Sequence, residues 1–167
     1  MILIEPTIQT KFGRALRQRA LGVFLREAAE AMRLPGAVSV LLTSDDEIRR
    51  LNRLFRHKDK ATDVLSFPAL SFSATEAAKK PIAGDLAISV DTAARQAEEF
   101  GYPLATELQI LLLHGLLHLA GYDHETDAGA MARKEEQLRR KLGLSAGLIE
   151  RSTRESRVAA ARRGSRR

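Results

Sequence analysis

The feature that most constrains the fold is an apolar segment, residues 103–120, that carries two histidines. We predict that it forms one helix with a proline in its first turn, where the missing N–H costs nothing. The leucines that surround the histidines are Leu112, Leu113, Leu116, Leu117 and Leu119. Because apolar side chains stand on nearly every side, little of this helix can face water.

His114 and His118 are four residues apart on this predicted helix. A helix turns about 100° per residue, so the two side chains differ by about 40° around the axis and about 6 Å along it. They can therefore meet at one point in space. Burying each imidazole without a partner would cost about 1–3 kcal/mol, so we expect something to satisfy both rings.

A third histidine follows a glycine. Gly121 tolerates the left-handed conformation that ends a helix, so the chain can turn back and bring His124 towards the first pair. The spacing H-x-x-x-H-x-x-G-x-x-H is that of the zinc ligands of metzincin proteases. Three neutral imidazoles favour Zn²⁺, with Ni²⁺ or Cu²⁺ possible, and leave a fourth position open, as in catalytic zinc sites. The alternative is a set of ordinary core histidines.

Gly115 separates this pattern from the proteases. Metzincins have their general-base glutamate directly after the first histidine, and this chain has glycine there. If this chain were a zinc peptidase, it would lack the glutamate that such enzymes use to deprotonate the zinc-bound water. The glycine either leaves open space beside a metal or allows another element to pack closely against the helix.

A basic loop precedes a predicted strand in "FRHKDKATDVLSFP", residues 55–68. Its cations include Arg56, Lys58 and Lys60, and such a cluster is either merely solvated or a site for phosphate oxygens. Thr62 and Asp63 are placed to brace the loop through side-chain hydrogen bonds. If the loop faces the histidines, a cation lies beside a metal, which favours a phosphodiester substrate.

The rest of the pattern predicts the α+β class: a small mixed sheet of three to four strands covered by about five helices. Strands are predicted at 1–8, 37–43, 62–68 and 84–90. Helices are predicted at 11–33, 44–54 (with a capping box from Ser44 to Glu47), 91–100 (capped by Asp91), 103–120 and 126–141. Residues 69–81 are predicted to form a polar loop.

The charge divides the chain into a body and a tail. Residues 150–167 hold seven arginines and two glutamates, and so carry five of the six net positive charges. We predict one folded domain over 1–149 and a disordered arginine-rich arm over 150–167, which is either a solvated tail or a salt-sensitive contact to nucleic acid. The chain has no cysteine, no secretory signal pattern and no apolar run long enough to cross a membrane, which fits a cytoplasmic protein.

Three motifs together, "HGLLHLAGYDH", "FRHKDKATDVLSFP" and "GDLAIS", resemble the YbeY family of bacterial endoribonucleases. The resemblance spans about 36–143 and leaves out the first 35 residues and the tail. It implies a single-domain α+β fold and one zinc held by His114, His118 and His124. It also implies a functional arginine at Arg56, near the metal. The implied partners are single-stranded RNA, the rRNA precursor and the small ribosomal subunit, with roles in maturing the 3′ end of 16S rRNA and in ribosome quality control.

The catalytic chemistry stays open at this point. Arg56 and His114 are the predicted catalytic residues, and Arg56 is expected to bind the substrate phosphate together with the two lysines. Asp85, Asp123 and Glu107 are candidates for a general base or for a carboxylate that orients an imidazole. Either water or the RNA 2′-hydroxyl is the nucleophile. Two other functions remain: a ribosome-assembly factor with a structural zinc, and a zinc peptidase.

Overall fold

A four-stranded sheet and six α-helices make up the computed structural model, which describes residues 1–69, 82–123 and 127–144. The strands are β1 (Ile2–Ile4), β2 (Ala37–Thr43), β3 (Val64–Pro68) and β4 (Ile82–Ser89). The helices are α1 (Pro6–Phe12), α2 (Gln18–Ala31), α3 (Asp45–Arg56), α4 (Val90–Phe100), α5 (Leu104–Leu119) and α6 (Ala130–Leu142). Residues 70–81 of the predicted loop, His124 and the arginine-rich tail lie outside the described residues, and the division at residue 149 stays a prediction.

The sheet is mixed, which confirms the predicted α+β class. Its strand order is β1-β2-β4-β3, and only β3 runs antiparallel to its neighbour. Side chains alternate between the two faces of a strand. Leu86 and Ile88 of β4 therefore point to one face, towards α5, and Ala87 points to the other, where it packs with Ile48 of α3 and Leu65 of β3.

Helix α5 lies in the core, as its all-round apolar pattern predicted. Ten of the residues between Glu107 and Leu117 in this helix are buried. They pack against β3, β4, α2 and α4, so the helix is covered on several sides. No described helix is both long enough and apolar enough to span a bilayer.

The single helix predicted over 11–33 is wrong. The chain forms α1, then a 3₁₀ turn at Gly13–Leu16, then α2. Pro6 starts α1 earlier than predicted because its fixed φ and missing N–H suit a first helical position. Gly13 and Arg17 have φ values of 45° and 46°, which a continuous right-handed helix does not allow. The apolar period continued across this break and concealed it, and the break raises the helix count from about five to six.

Of the two predicted helix N-caps, Ser44 is confirmed and Asp91 is wrong. Ser44 caps α3 as predicted, since its Oγ accepts a hydrogen bond from the Glu47 N–H at 3.3 Å. Asp91 does not cap α4. Ser89 takes that role and accepts from the Thr92 N–H at 3.1 Å, while the Asp91 carboxylate binds Lys11. Helix α6 begins at Ala130, later than the predicted start near 126, after a turn in which Asp127 accepts two backbone N–H bonds.

Asp45 ties α3 to α4 and makes the stability of the fold depend on pH. Burial alone raises the pKa of this carboxyl, but hydrogen bonds from Ser89, Thr92 and Arg95 outweigh burial and hold the pKa below its usual value. A carboxyl with a depressed pKa contributes stability above its unfolded pKa of about 3.9, and this contribution disappears as pH falls through the folded value.

We expect Asp45→Asn to lower the free energy of unfolding by about 1–3 kcal/mol at pH 7, because charge-assisted hydrogen bonds are lost. Denaturant unfolding at several pH values measures this. The difference from the parent protein should begin to shrink below pH ~4 and disappear as pH falls through the depressed pKa of the parent carboxyl. Asp46→Asn, at the exposed neighbouring position, is the control. A destabilisation that stays constant down to the acid limit would contradict the assignment.

Candidate metal and phosphate site

His114 and His118 meet on one side of α5, as their spacing predicted. Their Nε2 atoms are 3.1 Å apart, and their ring centroids are 4.8 Å apart at an interplanar angle of 78°. His114 is buried and His118 is half-buried. The pair therefore lies at the edge of the core.

The other ring nitrogens fix how the pair is protonated. His118 Nδ1 lies 3.0 Å from the carbonyl oxygen of Tyr122, which can only accept a hydrogen bond. His114 Nδ1 lies 3.5 Å from Oε1 of Glu135 in α6, and a carboxylate is also an acceptor. Both acceptors favour a proton on Nδ1: the contact to Tyr122 is a hydrogen bond, and the contact to Glu135 is an ion-pair distance. The two Nε2 lone pairs then face each other across 3.1 Å.

The turn after α5 positions the carbonyl that faces His118. Ala120 closes the helix, and Gly121 has a φ of 89°, the left-handed conformation that its sequence position predicted. The N–H of Tyr122 then donates to the carbonyl of Leu117 at 3.1 Å, which folds residue 122 back along the helix. The Tyr122 carbonyl thereby comes within hydrogen-bonding distance of His118.

The donor set fits a transition-metal ion. Two nitrogens bound to one tetrahedral zinc at about 2.0–2.1 Å are about 3.3 Å apart, close to the spacing of this pair. Two lone pairs that face each other repel, and a cation between them removes that repulsion. His124, the third predicted ligand, lies outside the described residues. Within residues 1–69, 82–123 and 127–144, no group of three histidine, cysteine, aspartate or glutamate side chains is placed to hold a metal.

Gly115 packs against the sheet, so the predicted alternative of open space beside the metal is wrong. A Cβ atom added there would lie 2.9 Å from a methyl of Leu86 and 3.3 Å from a methyl of Val64. Real Cβ atoms essentially never come within 3.0 Å of another heavy atom, so a side chain at this position would force Leu86 to shift. The glycine lets α5 lie close to β3 and β4, and it faces away from solvent.

Arg56 is linked to α5 by hydrogen bonds through Ser66 of β3. Its Nη2 donates to the carbonyl oxygen of Ser66 at 3.0 Å, and the Ser66 hydroxyl donates to the carbonyl oxygen of Gly115 at 3.3 Å. Two hydrogen bonds therefore link the guanidinium to the residue after His114. The sequence placed the basic loop and the histidines in separate motifs, and the fold brings this arginine to the strand that borders α5.

Lys58 and Lys60 lie in the loop that follows α3, and both are exposed. The buried Asn52 holds the loop backbone, because its side-chain amide donates to the carbonyl of Lys60 at 2.8 Å and its own carbonyl accepts from the Lys58 N–H at 3.3 Å. Asp63 braces the start of β3 as predicted, accepting from the Val64 N–H at 2.8 Å. The loop therefore presents its cations from a fixed backbone.

The three carboxylates proposed from the sequence lie in different places. Asp85 is exposed, and strand alternation puts it on the α3 face of the sheet, opposite α5. Glu107 is fully buried in α5, seven residues or about 10.5 Å along the axis from His114, too far to orient that ring directly. Asp123 follows Tyr122 directly in the turn beyond α5.

Glu135 is the residue that sequence reasoning missed. It is buried in α6 in the same stripe as Met131 and Leu138, at helical spacing. A glutamate on an otherwise apolar stripe was the available signal, because carboxylates are seldom fully buried without a partner.

Comparisons with known proteins agree with this architecture. A family model described as "Endoribonuclease YbeY" matches residues 5–143, which extends the sequence resemblance, taken from residue 36, to include β1-flanking residues and the first two helices. The chain is 51% identical over 146 residues to the endoribonuclease YbeY of Koribacter versatilis, covering 87% of this chain and 91% of that protein. It is 49% identical over 136 residues to that of Solibacter usitatus, covering 81% and 86%.

A solved structure is also similar. The solution structure of TM1509 from Thermotoga maritima matches with a TM-score of 0.55 and 31% identity, covering 85% of this chain and 89% of that one. The family match covers most of the chain, and the identities to curated relatives are high over nearly their full length. The chain belongs to the endoribonuclease YbeY family.

Proposed function

We propose that this protein is a zinc-dependent endoribonuclease that cleaves single-stranded RNA. Its proposed substrate is the rRNA precursor on the small ribosomal subunit, cut near the 3′ end of 16S rRNA, with a further role in ribosome quality control in the cytoplasm. The observation that carries the proposal is the pair of imidazole Nε2 atoms 3.1 Å apart, on a helix that is hydrogen-bonded through Ser66 to Arg56. Membership of an endoribonuclease family supports the reaction type.

His114, His118 and His124 are the proposed zinc ligands. Zinc bound there would supply Lewis acidity, either towards a phosphoryl oxygen or towards water. The Tyr122 carbonyl is hydrogen-bonded to His118 Nδ1, and the Glu135 carboxylate lies 3.5 Å from His114 Nδ1, so both contacts favour the tautomer whose Nε2 lone pair points into the site. Such fixed tautomers are typical of metal-binding histidines.

Arg56 is the proposed phosphate-binding residue. A guanidinium has five N–H donors in a planar fork, and the bond to Ser66 orients that fork. The remaining donors suit the non-bridging oxygens of a phosphodiester, where negative charge gathers in the transition state. Lys58 and Lys60 would bind flanking phosphates by charge alone, and this contribution would weaken as salt rises.

Cleavage with controlled metal content tests this proposal. The parent protein is treated with a chelator, reloaded with Zn²⁺ and incubated with a single-stranded oligonucleotide that spans the 3′ end of 16S rRNA. A fully paired duplex and casein are parallel substrates. We expect cleavage of the single strand that disappears with chelation and returns with zinc, and neither duplex nor casein cleavage.

Other outcomes overturn the proposal. RNA binding without cleavage at any zinc loading would indicate an assembly factor with a structural metal. Casein cleavage would indicate a peptidase, for which the packed glycine after His114 leaves no adjacent base. Among the cleavage products, a 2′,3′-cyclic phosphate end would show attack by the RNA 2′-hydroxyl, and its absence would favour water.

A further inference from the structure

Glu135 is a buried carboxylate aimed at a proposed metal ligand. Its side chain is 3% exposed, and its Oε1 lies 3.5 Å from His114 Nδ1. The next residue in α6, Glu136, differs completely: its side chain is 50% exposed and binds the guanidinium of Arg140 one turn along the same helix. Two adjacent glutamates therefore occupy opposite environments.

Burial makes the position of Glu135 costly. Moving a carboxylate out of water costs several kcal/mol, and a leucine at the same place in the Met131 and Leu138 stripe would avoid that cost. A stripe that only joined α6 to the core would be more stable without the charge. The position of the carboxylate opposite an imidazole therefore points to a role in the site.

The two rings of the pair are held by different means. His118 Nδ1 faces a backbone carbonyl, which no substitution removes. His114 Nδ1 faces a side chain from another helix, which a substitution can remove. The lone pair on His114 Nε2 therefore depends on α6, whereas that of His118 depends only on the turn that follows α5.

We propose that Glu135 is a positioning residue of the metal site. Its carboxylate, 3.5 Å from His114 Nδ1, favours a proton on that nitrogen, keeps the Nε2 lone pair directed at His118, and makes the ring more basic towards a cation. It touches neither substrate nor metal. This inference rests on the proposed function, since it takes the pair to be zinc ligands, and it assigns to α6 a part in determining metal affinity.

Zinc affinity measured without RNA tests this role. The full chain, the Glu135→Gln and Glu135→Leu variants and the matched control Glu136→Gln are compared by competition with a chromophoric chelator. We expect affinity to fall by about 10-fold in Glu135→Gln, which keeps an acceptor but loses the charge, and by up to about 100-fold in Glu135→Leu. Glu136→Gln should bind zinc like the parent.

A second readout separates positioning from a merely structural role. The thermal unfolding midpoint of each metal-free protein is measured, and Co²⁺ is substituted to record its d–d absorption. We expect Glu135→Gln to keep the metal-free midpoint while its cobalt spectrum shifts, because the ligand geometry changes but the packing does not. Equal zinc affinity and an unchanged cobalt spectrum in both Glu135 variants would overturn the inference.

The same measurements distinguish a failure of the proposed function from a failure of the role proposed for Glu135. If the parent protein takes up no zinc and no cobalt, the metal site itself is wrong. If the parent binds zinc and cleaves RNA while the Glu135 variants do the same with unchanged affinity, only the role of Glu135 is wrong.

Discussion

Replacing His118 by alanine should reduce bound zinc from about one ion per chain to almost none and abolish RNA cleavage. Two imidazoles with converging lone pairs form a chelating pair, and one ring alone loses that advantage. His114→Ala should have the same effect. Zinc content by elemental analysis and cleavage of the single-stranded oligonucleotide measure both results.

His57 provides the matched control for these variants. It is exposed and ends α3 with a φ of 57°, and asparagine tolerates this left-handed conformation. We expect His57→Asn to keep the parent zinc content and cleavage rate. His118 is the better test residue, since it is half-buried and its loss disturbs packing least. A His118→Ala protein that still holds one zinc per chain and cleaves RNA would rule out this pair as the metal site.

Replacing Arg56 by alanine should slow RNA cleavage by about 10²–10³-fold while zinc content stays unchanged. We propose that the arginine binds the scissile phosphate, so its loss removes stabilisation of charge in the transition state and leaves the imidazoles intact. Arg56→Lys should recover only a small part of the rate, because an ammonium is a point charge without a planar fork. Single-turnover cleavage with saturating protein measures the chemical step.

Arg50 is the control arginine in the same helix. It is exposed, and its guanidinium binds Glu47 in a surface ion pair. Arg50→Ala should therefore cleave at the parent rate. If Arg56→Ala loses zinc in parallel with activity, the arginine supports the fold of the site and does not act on phosphate. If it cleaves at the parent rate, the substrate phosphate binds elsewhere.

Local patterns predicted the histidine pair because its geometry lies within one helix. A spacing of four residues and an apolar context sufficed to bring two Nε2 atoms together. The glycine turn was equally local, and Gly121 has the left-handed conformation expected of it. The α+β class followed from the order of helical and strand patterns, and the structure confirms it.

The parts that sequence reasoning missed depend on contacts between distant segments. Whether Gly115 faced open space or a packed surface depended on Leu86 and Val64, which are remote in sequence. Glu135 comes within 3.5 Å of His114 only because α6 packs beside α5. Ser89 caps α4 because the helix begins at Val90, before Asp91, and Asp91 instead binds Lys11 of α1.

The bond from Arg56 to Ser66 has a consequence for how the molecule behaves at high concentration. Within the described residues β3 pairs only with β4, so it forms an outer strand of the sheet. Edge strands with unpaired backbone carbonyls can form hydrogen bonds with strands of other molecules, and proteins commonly prevent this with charged side chains. The guanidinium covers one such carbonyl. We therefore expect the arginine that we propose to bind RNA to hinder edge-to-edge pairing of β3 with other molecules as well.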